Sequence, residues 1–156
     1  MNKNIVLGIC AITLSFQVWA QDWSKMSSAR DDNIYYQTRS GDKSLMLGCL
    51  SGEDNLSFTL IGGDTPLHQS LHHNPSLIVW ITLPDGRTGR YAIDTEYMGG
   101  MDNALIGRLL LGEEGKQFFA QGAEMEISSP QAGVFFRTGM IGSARAMQDF
   151  RTTCRL

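Results

Sequence analysis

Short segments of alternating or continuous apolar residues recur along the chain, separated by residues that favour turns. The strict alternation from Leu56 to Leu60 is typical of a strand with one face toward the core and one toward water. Residues 77–83 are nearly all apolar, which predicts a central strand with Trp80 buried at its middle. The turn sequence Pro84-Asp85-Gly86-Arg87 follows, so residues 77–94 are predicted to form a β-hairpin. Further strands are predicted at 34–39, 45–50, 124–128 and 134–138.

Helical periodicity appears near the C-terminal end of the chain. Met147, Phe150 and Cys154 recur at spacing i, i+3, i+7 and therefore form one apolar stripe of a helix. Ser143 is a suitable N-cap for that helix. A short helix is also predicted at 113–121, whereas the apolar segment 104–111 fits a strand or a helix.

These elements predict a mainly β fold that ends in a helix. The favoured architecture is an antiparallel β-sandwich with a C-terminal α-helix, and the alternative is an OB-like barrel. The 156 residues, 42% of them hydrophobic, are enough for one domain with its own core. A net charge of −3 and the lack of a basic block argue against nucleic acid as a partner.

The N-terminal residues have the pattern of a secretory signal peptide. One lysine precedes an apolar run at 5–14, and Val18-Trp19-Ala20 matches a signal peptidase site. Residues 1–20 are therefore predicted to be a signal peptide and residues 21–156 a single domain. The apolar run is shorter than the roughly 20 residues of a transmembrane span, so the protein is not expected to be membrane-embedded.

Export changes the interpretation of the cysteines. Removal of residues 1–20 takes away Cys10 and leaves Cys49 and Cys154. An even pair in an exported chain predicts a disulfide, and the predicted strand and helix that carry the two residues fit such a bond. The predicted location is therefore an oxidising compartment outside the cytoplasm, which is the periplasm if the chain belongs to a Gram-negative envelope as the resemblance below implies.

The long irregular stretch 62–76 holds all three histidines of the chain. His68 and His72 are spaced i, i+4, as in many metal sites, but prolines bracket them and Asp64 is the nearest acid. An exposed loop that contacts a partner through Asp64, His68, His72 and His73 is therefore favoured. A copper site that adds the soft ligands Met98 and Met101 is the alternative, and no cofactor is expected.

Catalytic motifs are absent from the sequence. It contains no Gly-x-Ser-x-Gly elbow and no His-Glu-x-x-His, and a disulfide would consume the thiols of a cysteine nucleophile. The chain is therefore not expected to be an enzyme.

Two pairs of consecutive aromatic residues, Tyr35-Tyr36 and Phe135-Phe136, lie in predicted strands. Successive side chains of a strand point to opposite faces. The favoured interpretation is that both faces are covered and both members belong to the core, and the alternative is that one member of each pair is presented outward for binding.

Several short motifs follow one another along the predicted mature chain. They are Trp23, Ser27-Ser28, Asp31-Asp32, Leu45-x-Leu47-x-Cys49, Leu56-x-Phe58, Tyr91-x-Ile93-Asp94, Val134-Phe135-Phe136, Gly142-Ser143-Ala144-Arg145-Ala146 and Cys154. This order resembles the small periplasmic proteins associated with type VI secretion, of the VasI/TagO type. The closing strand, turn and helix are also similar to the invasion-associated locus B family. Residues 68–73 and 98–101 have no counterpart in that pattern.

The resemblance implies a disulfide-closed β-sandwich of a Gram-negative envelope that works through protein contacts. The favoured function is accordingly a non-enzymatic periplasmic accessory protein that binds another envelope protein, associated with type VI secretion. An inhibitor or immunity protein that blocks an envelope-acting enzyme is the first alternative. A periplasmic copper binder is the second.

Overall fold

A computed structural model describes residues 22–27, 33–50, 52–62, 75–154 and 156. The predicted signal peptide and the predicted contact residues Asp64, His68, His72 and His73 lie outside these ranges. Within them the chain forms nine strands and two helices. The strands are β1 (Ser24–Met26), β2 (Asn33–Ser40), β3 (Lys43–Leu50), β4 (Leu56–Ile61), β5 (Ser76–Thr82), β6 (Thr88–Met98), β7 (Ala104–Leu109), β8 (Glu124–Ser129) and β9 (Gly133–Gly139). The helices are α1 (Glu113–Gln121) and α2 (Ser143–Cys154).

All neighbouring strands are antiparallel, in the order β1-β2-β3-β4-β7-β6-β5-β8-β9. The predicted hairpin of β5 and β6 is confirmed, and the ambiguous segment at 104–111 contains the strand β7. The mainly β class and the C-terminal helix are likewise confirmed. The strands therefore form one continuous sheet.

The long strand β6 curls this sheet by pairing with a different neighbour at each end. Its residues 88–94 pair with β5, and its residues 95–98 pair with β7. Gly107 of β7 lies opposite Thr95, where the change of partner occurs. A Cβ atom at Gly107 would come within 2.7 Å of the Asp94 carbonyl oxygen, so glycine permits the close approach of the backbones at this bend.

The two ends of the curled sheet approach each other between β2 and β9. The hydroxyl groups of Thr38 and Thr138 form a buried hydrogen bond of 2.6 Å. The Arg137 amide donates a hydrogen bond to Ser40 Oγ at 3.3 Å. The sheet is thus a half-barrel, with its two halves facing a shared core as in a sandwich and joined by continuous strands as in a partly open barrel.

The two helices pack aromatic side chains into that core. The Phe119 ring of α1 lies edge-on to Trp23, with 5.1 Å between ring centroids. The Phe150 ring of α2 lies edge-on to Tyr36, with centroids 5.6 Å apart. The predicted stripe of α2, which also includes Met147 and Cys154, is buried throughout. Aromatic packing therefore closes the concave side of the half-barrel.

A disulfide joins Cys49 on β3 to Cys154 in the last turn of α2, as predicted. The Cα atoms are 5.9 Å apart, within the normal range for a disulfide, and both residues are buried. Such bonds persist in oxidising compartments outside the cytoplasm. Of the helices that the structure describes, none has the length and apolar character needed to cross a membrane.

Candidate functional site

The outer side of the β6-β5-β8-β9 half-sheet carries an unusual set of partly exposed apolar side chains. On β5, Leu77, Val79 and Ile81 are buried, whereas Ile78 and Trp80 point to the opposite side and are half-buried. The prediction that Trp80 is a buried core residue is wrong. Although β5 lies centrally in its half-sheet, the core covers only one of its faces, so the apolar run does not imply burial on both sides.

Trp80 is held in place by groups from two neighbouring positions, Arg90 and Ser128. Across the sheet, Arg90, Trp80, Glu126 and Arg137 form one row of register partners. The Arg90 guanidinium lies 5.6 Å from the centroid of the Trp80 ring, and Trp80 Nε1 donates a hydrogen bond of 2.9 Å to Ser128 Oγ. Arg137 forms an ion pair with Glu126. The indole is therefore a fixed surface rather than a freely rotating side chain.

The adjacent row places apolar residues beside Trp80. It consists of Ala92, Ile78, Ser128 and Val134. Ala92 is exposed and Val134 is 49% exposed. Ser128, the polar residue of this row, stands between Ile78 and Val134. We call the surface formed by Ile78, Trp80, Ala92, Ser128 and Val134 the Trp80 face.

A β-bulge shapes the outer end of the Trp80 face. Ile127 pairs with Phe136 and Ser128 pairs with Val134, so Phe135 is an extra residue on β9. Phe136 is buried, whereas Phe135 is half-buried. Phe135 nevertheless packs against the core from this half-buried position, so both aromatic residues of this pair contribute to the core.

The two residues of the other aromatic pair face opposite sides of β2, whose burial alternates regularly. Tyr36 is buried and Tyr35 is half-buried, with its ring packed so closely over Gly48 that a Cβ atom there would overlap it. Tyr36 donates a hydrogen bond of 2.8 Å to Asp149 Oδ2 on α2. Burial, and secondarily this hydrogen bond, raises the pKa of Tyr36 to about 12. The phenol therefore stays protonated and links β2 to α2 rather than serving as a base.

A groove of about 380 Å³ runs between the two helices. Its floor is formed by Ala120, Ala144 and Met147, and glutamine side chains contribute to its walls. Glu113 binds Lys116 at 2.7 Å and Arg151 at 3.2 Å. The hydrogen bond from Lys116 and its positive charge hold the pKa of Glu113 below its usual range. Both cations near the groove are thus already paired with a carboxylate.

A second recess, of about 330 Å³, lies where the ends of the sheet meet and has mainly polar walls, formed by Asp22, Ser24, Gln37, Thr38 and Arg39. The Asp22 carboxylate accepts a hydrogen bond of 3.0 Å from the Ile141 amide. This contact fixes the N-terminal segment against the residues that follow β9. The recess is therefore part of the seam that closes the half-barrel.

The proposed soft metal ligands lie on the turn between β6 and β7. Met98 is 37% exposed and Met101 is 51% exposed, and the Met101 amide donates a hydrogen bond of 3.1 Å to the Met98 carbonyl. Within the described ranges, no cluster of three or more His, Cys, Asp or Glu residues could hold a metal ion. The histidines of the copper alternative lie outside those ranges, so that alternative stays a prediction.

Sequence reasoning did not identify Arg90, Ser128 or Val134 as surface partners of Trp80. The available signal was the polar alternation of β6, where Arg90 and Asp94 share one side and Ile93 and Thr95 share the other. This alternation indicates that one face of the hairpin points to solvent. That Ser128 and Val134 belong to the same face depends on the strand order and on the bulge, which are properties of the tertiary structure.

Comparison with known proteins identifies no relative of this chain. No protein-family model, curated protein or solved structure matches the chain. The functional argument therefore depends on the geometry of the site itself.

Proposed function

We propose that this chain is a non-enzymatic periplasmic accessory protein that binds another envelope protein through the Trp80 face. The observation that carries the proposal is a fixed, half-buried tryptophan with an arginine stacked on it, beside the exposed side chains of Ala92 and Val134. Tryptophan and arginine dominate the residues that contribute most to protein–protein affinity. A convex sheet face that no described helix covers fits a protein surface better than it fits a small molecule, which generally occupies a concave site.

The location in the periplasm is supported by two independent features. The N-terminal residues have a signal-peptide pattern, and the Cys49–Cys154 disulfide requires an oxidising compartment to persist. The resemblance to type VI secretion-associated proteins makes the components of that apparatus the first partners to examine.

The predicted contact loop would reach the sheet close to the Trp80 face. Pro75, near the C-terminal end of this stretch, is described, and its carbonyl accepts hydrogen bonds from the amide and the hydroxyl of Thr95. Ser76, the next residue, pairs with Asp94 and donates a hydrogen bond of 2.7 Å to its carboxylate. Ile78 follows on the same side of β5. Asp64, His68, His72 and His73 are therefore proposed as additional contacts for the same partner.

The proposal is tested by capture of envelope proteins with variants of the full chain. Trp80→Ala is expected to weaken capture at least about 10-fold, because loss of a central tryptophan at an interface costs about 2 kcal/mol or more. Leu110→Ser is the matched control, since Leu110 is 65% exposed and lies outside the Trp80 face. Equal capture by both variants and the unchanged protein would refute the proposal. Inhibition of a captured hydrolase would assign the chain to the inhibitor class instead.

A further inference from the structure

The methionines of the described ranges differ in exposure, and the two most exposed ones lie on one turn. Met98 at the end of β6 is 37% exposed, and Met101 in the turn to β7 is 51% exposed. Met26 and Met46 are half-buried. The others belong to the core and are exposed by 3% or less: Met125, Met140 and Met147. Solvent therefore reaches methionine side chains mainly at residues 98–101, hereafter the methionine turn.

The hydrogen bonds that hold the methionine turn do not involve its sulfur atoms. The Met101 amide donates to the Met98 carbonyl at 3.1 Å, and the Ala104 amide donates to the Met101 carbonyl at 3.0 Å. The Tyr97 hydroxyl donates a hydrogen bond of 2.6 Å to Asn103 Oδ1 across the turn. A chemical change at either sulfur would thus leave these bonds in place.

The cysteines of the described ranges offer no thiol that could react in place of methionine. A cysteine thiolate is ordinarily the first protein sulfur that a peroxide oxidises. Cys49 and Cys154 are joined in the disulfide, and both are buried. The two exposed thioethers are therefore the most accessible reduced sulfur in the part of the chain that the structure describes.

We propose, independently of the proposed partner, that Met98 and Met101 form a reversible oxidation site for peroxides. With hydrogen peroxide, the sulfur lone pair attacks one peroxide oxygen, an S–O bond forms and the O–O bond breaks. The proton of the attacked oxygen passes to the departing hydroxide, which leaves as water. Sulfur loses two electrons, the peroxide gains them, and the product is methionine sulfoxide.

A methionine sulfoxide reductase reverses this step. Two thiols of the reductase system supply two electrons and become a disulfide, and the sulfoxide oxygen leaves as water. The enzyme needs access to the sulfoxide, which the exposed side chains of Met98 and Met101 provide. The site can therefore pass repeatedly between its two oxidation states.

Exposure also separates a tolerated oxidation from a damaging one. A sulfoxide is polar, and a polar group placed in the core without a hydrogen-bond partner destabilises the fold. On the methionine turn, water solvates the new oxygen. At Met125, which is fully buried, the same oxygen would enter the core. Oxidation confined to the turn thus consumes peroxide without unfolding the protein.

Peptide mapping of the folded full chain after brief treatment with hydrogen peroxide tests the first step. Sulfoxide is expected to form at Met98 and Met101 at least about 10-fold faster than at the core methionines. A buried sulfur reacts only after local opening, and an opening free energy of about 1.4 kcal/mol already gives this factor. Faster oxidation of Met26 or Met46, or equal rates at all methionines, would overturn the inference.

Incubation of the oxidised protein with reductases for both sulfoxide epimers tests the reversal, with thioredoxin as the electron donor. Both positions of the methionine turn are expected to return to methionine. The far-UV circular dichroism and the urea midpoint of the protein oxidised at these positions should equal those of the untreated protein. Sulfoxide that resists the reductases, or unfolding of the oxidised protein, would overturn the inference.

A double variant and a matched control assign the reaction to the two side chains. Met98→Leu/Met101→Leu replaces both thioethers by apolar side chains of similar size that peroxide does not oxidise, so the fast uptake of oxygen should disappear. Met125→Leu changes a core methionine in the same way and should keep the fast uptake. Fast uptake that persists in the double variant would overturn the inference. Urea unfolding checks that both variants fold, and peptide mapping of the unchanged protein needs no variant.

Discussion

Reduction of the Cys49–Cys154 disulfide is expected to lower the free energy of unfolding by about 4–5 kcal/mol. The bond spans a sequence separation of 105 residues, and on the chain-entropy model closure of a loop of this length restricts the unfolded state by about that amount. Domains of this size are typically stable by about 5–15 kcal/mol. The single bond therefore contributes a large part of the total stability.

The reduced protein should still fold, because other contacts hold α2 against the sheet. Phe150 packs on Tyr36, and Tyr36 donates a hydrogen bond to Asp149. Met147 is buried in the same stripe. Reduction thus removes a restraint on the unfolded chain and leaves the packing of α2 in place, so the far-UV circular dichroism of the folded state should not change.

Urea unfolding of oxidised and reduced protein measures the difference. With slopes of about 1–3 kcal/mol per molar urea, the midpoint should fall by more than about 1 M on reduction. The Cys49→Ala/Cys154→Ala variant is the control, since its midpoint should not respond to the reductant. A difference below about 1 kcal/mol between the two forms would refute the loop-entropy reasoning. Two free thiols in the protein isolated without reductant from an oxidising compartment would refute the bond itself.

The remaining predictions concern single side chains and the predicted contact loop. Trp80→Ala should lower the free energy of unfolding by about 1–2 kcal/mol, because it removes one neutral hydrogen bond and one exposed cation–π contact. Phe58→Ala in the buried core should lower it by about 3–5 kcal/mol. Similar losses for the two variants in urea unfolding would contradict the placement of Trp80 on the outer side of the sheet. Since the folded-state pKa of Tyr36 is raised to about 12, its contribution to stability is complete below pH 10 and is lost between pH 10 and 12. Tyr36→Phe should remove that loss, and an unchanged alkaline transition would disprove the assignment. Alanine at the three histidines of the predicted contact loop should weaken capture and alter stability by less than about 0.5 kcal/mol, and unfolding of that variant would place them in the core.

Most secondary structure of this protein follows from local patterns. Alternation identified β4, turn residues identified the hairpin of β5 and β6, and the i, i+3, i+7 stripe identified α2. These signals are local because the repeat of apolar residues along a strand or a helix is visible within a few residues of sequence. The disulfide was also predictable, because only Cys49 and Cys154 remain after removal of the predicted signal peptide.

The candidate site, in contrast, was only partly accessible from the sequence. The apolar run around Trp80 suggested burial, since a run without alternation is typical of a strand covered on both sides. Whether a second layer covers the outer side depends on how the other elements pack. Here both helices occupy the concave side with Phe119 and Phe150, so the convex side keeps Trp80 at the surface.

The strands, the terminal helix and the cysteine pair could be predicted from the chain alone, because hydrophobic period, turn residues and the number of cysteines are read from short segments or from composition. The pairing of distant segments, in contrast, settles that β6 joins two half-sheets, that Ser128 and Val134 lie beside Ile78, and that β9 ends the strand order. These features arise from strand order and from a bulge between residues far apart in the chain. Pairing between distant segments depends on the free energy of the whole core, and no short segment encodes it.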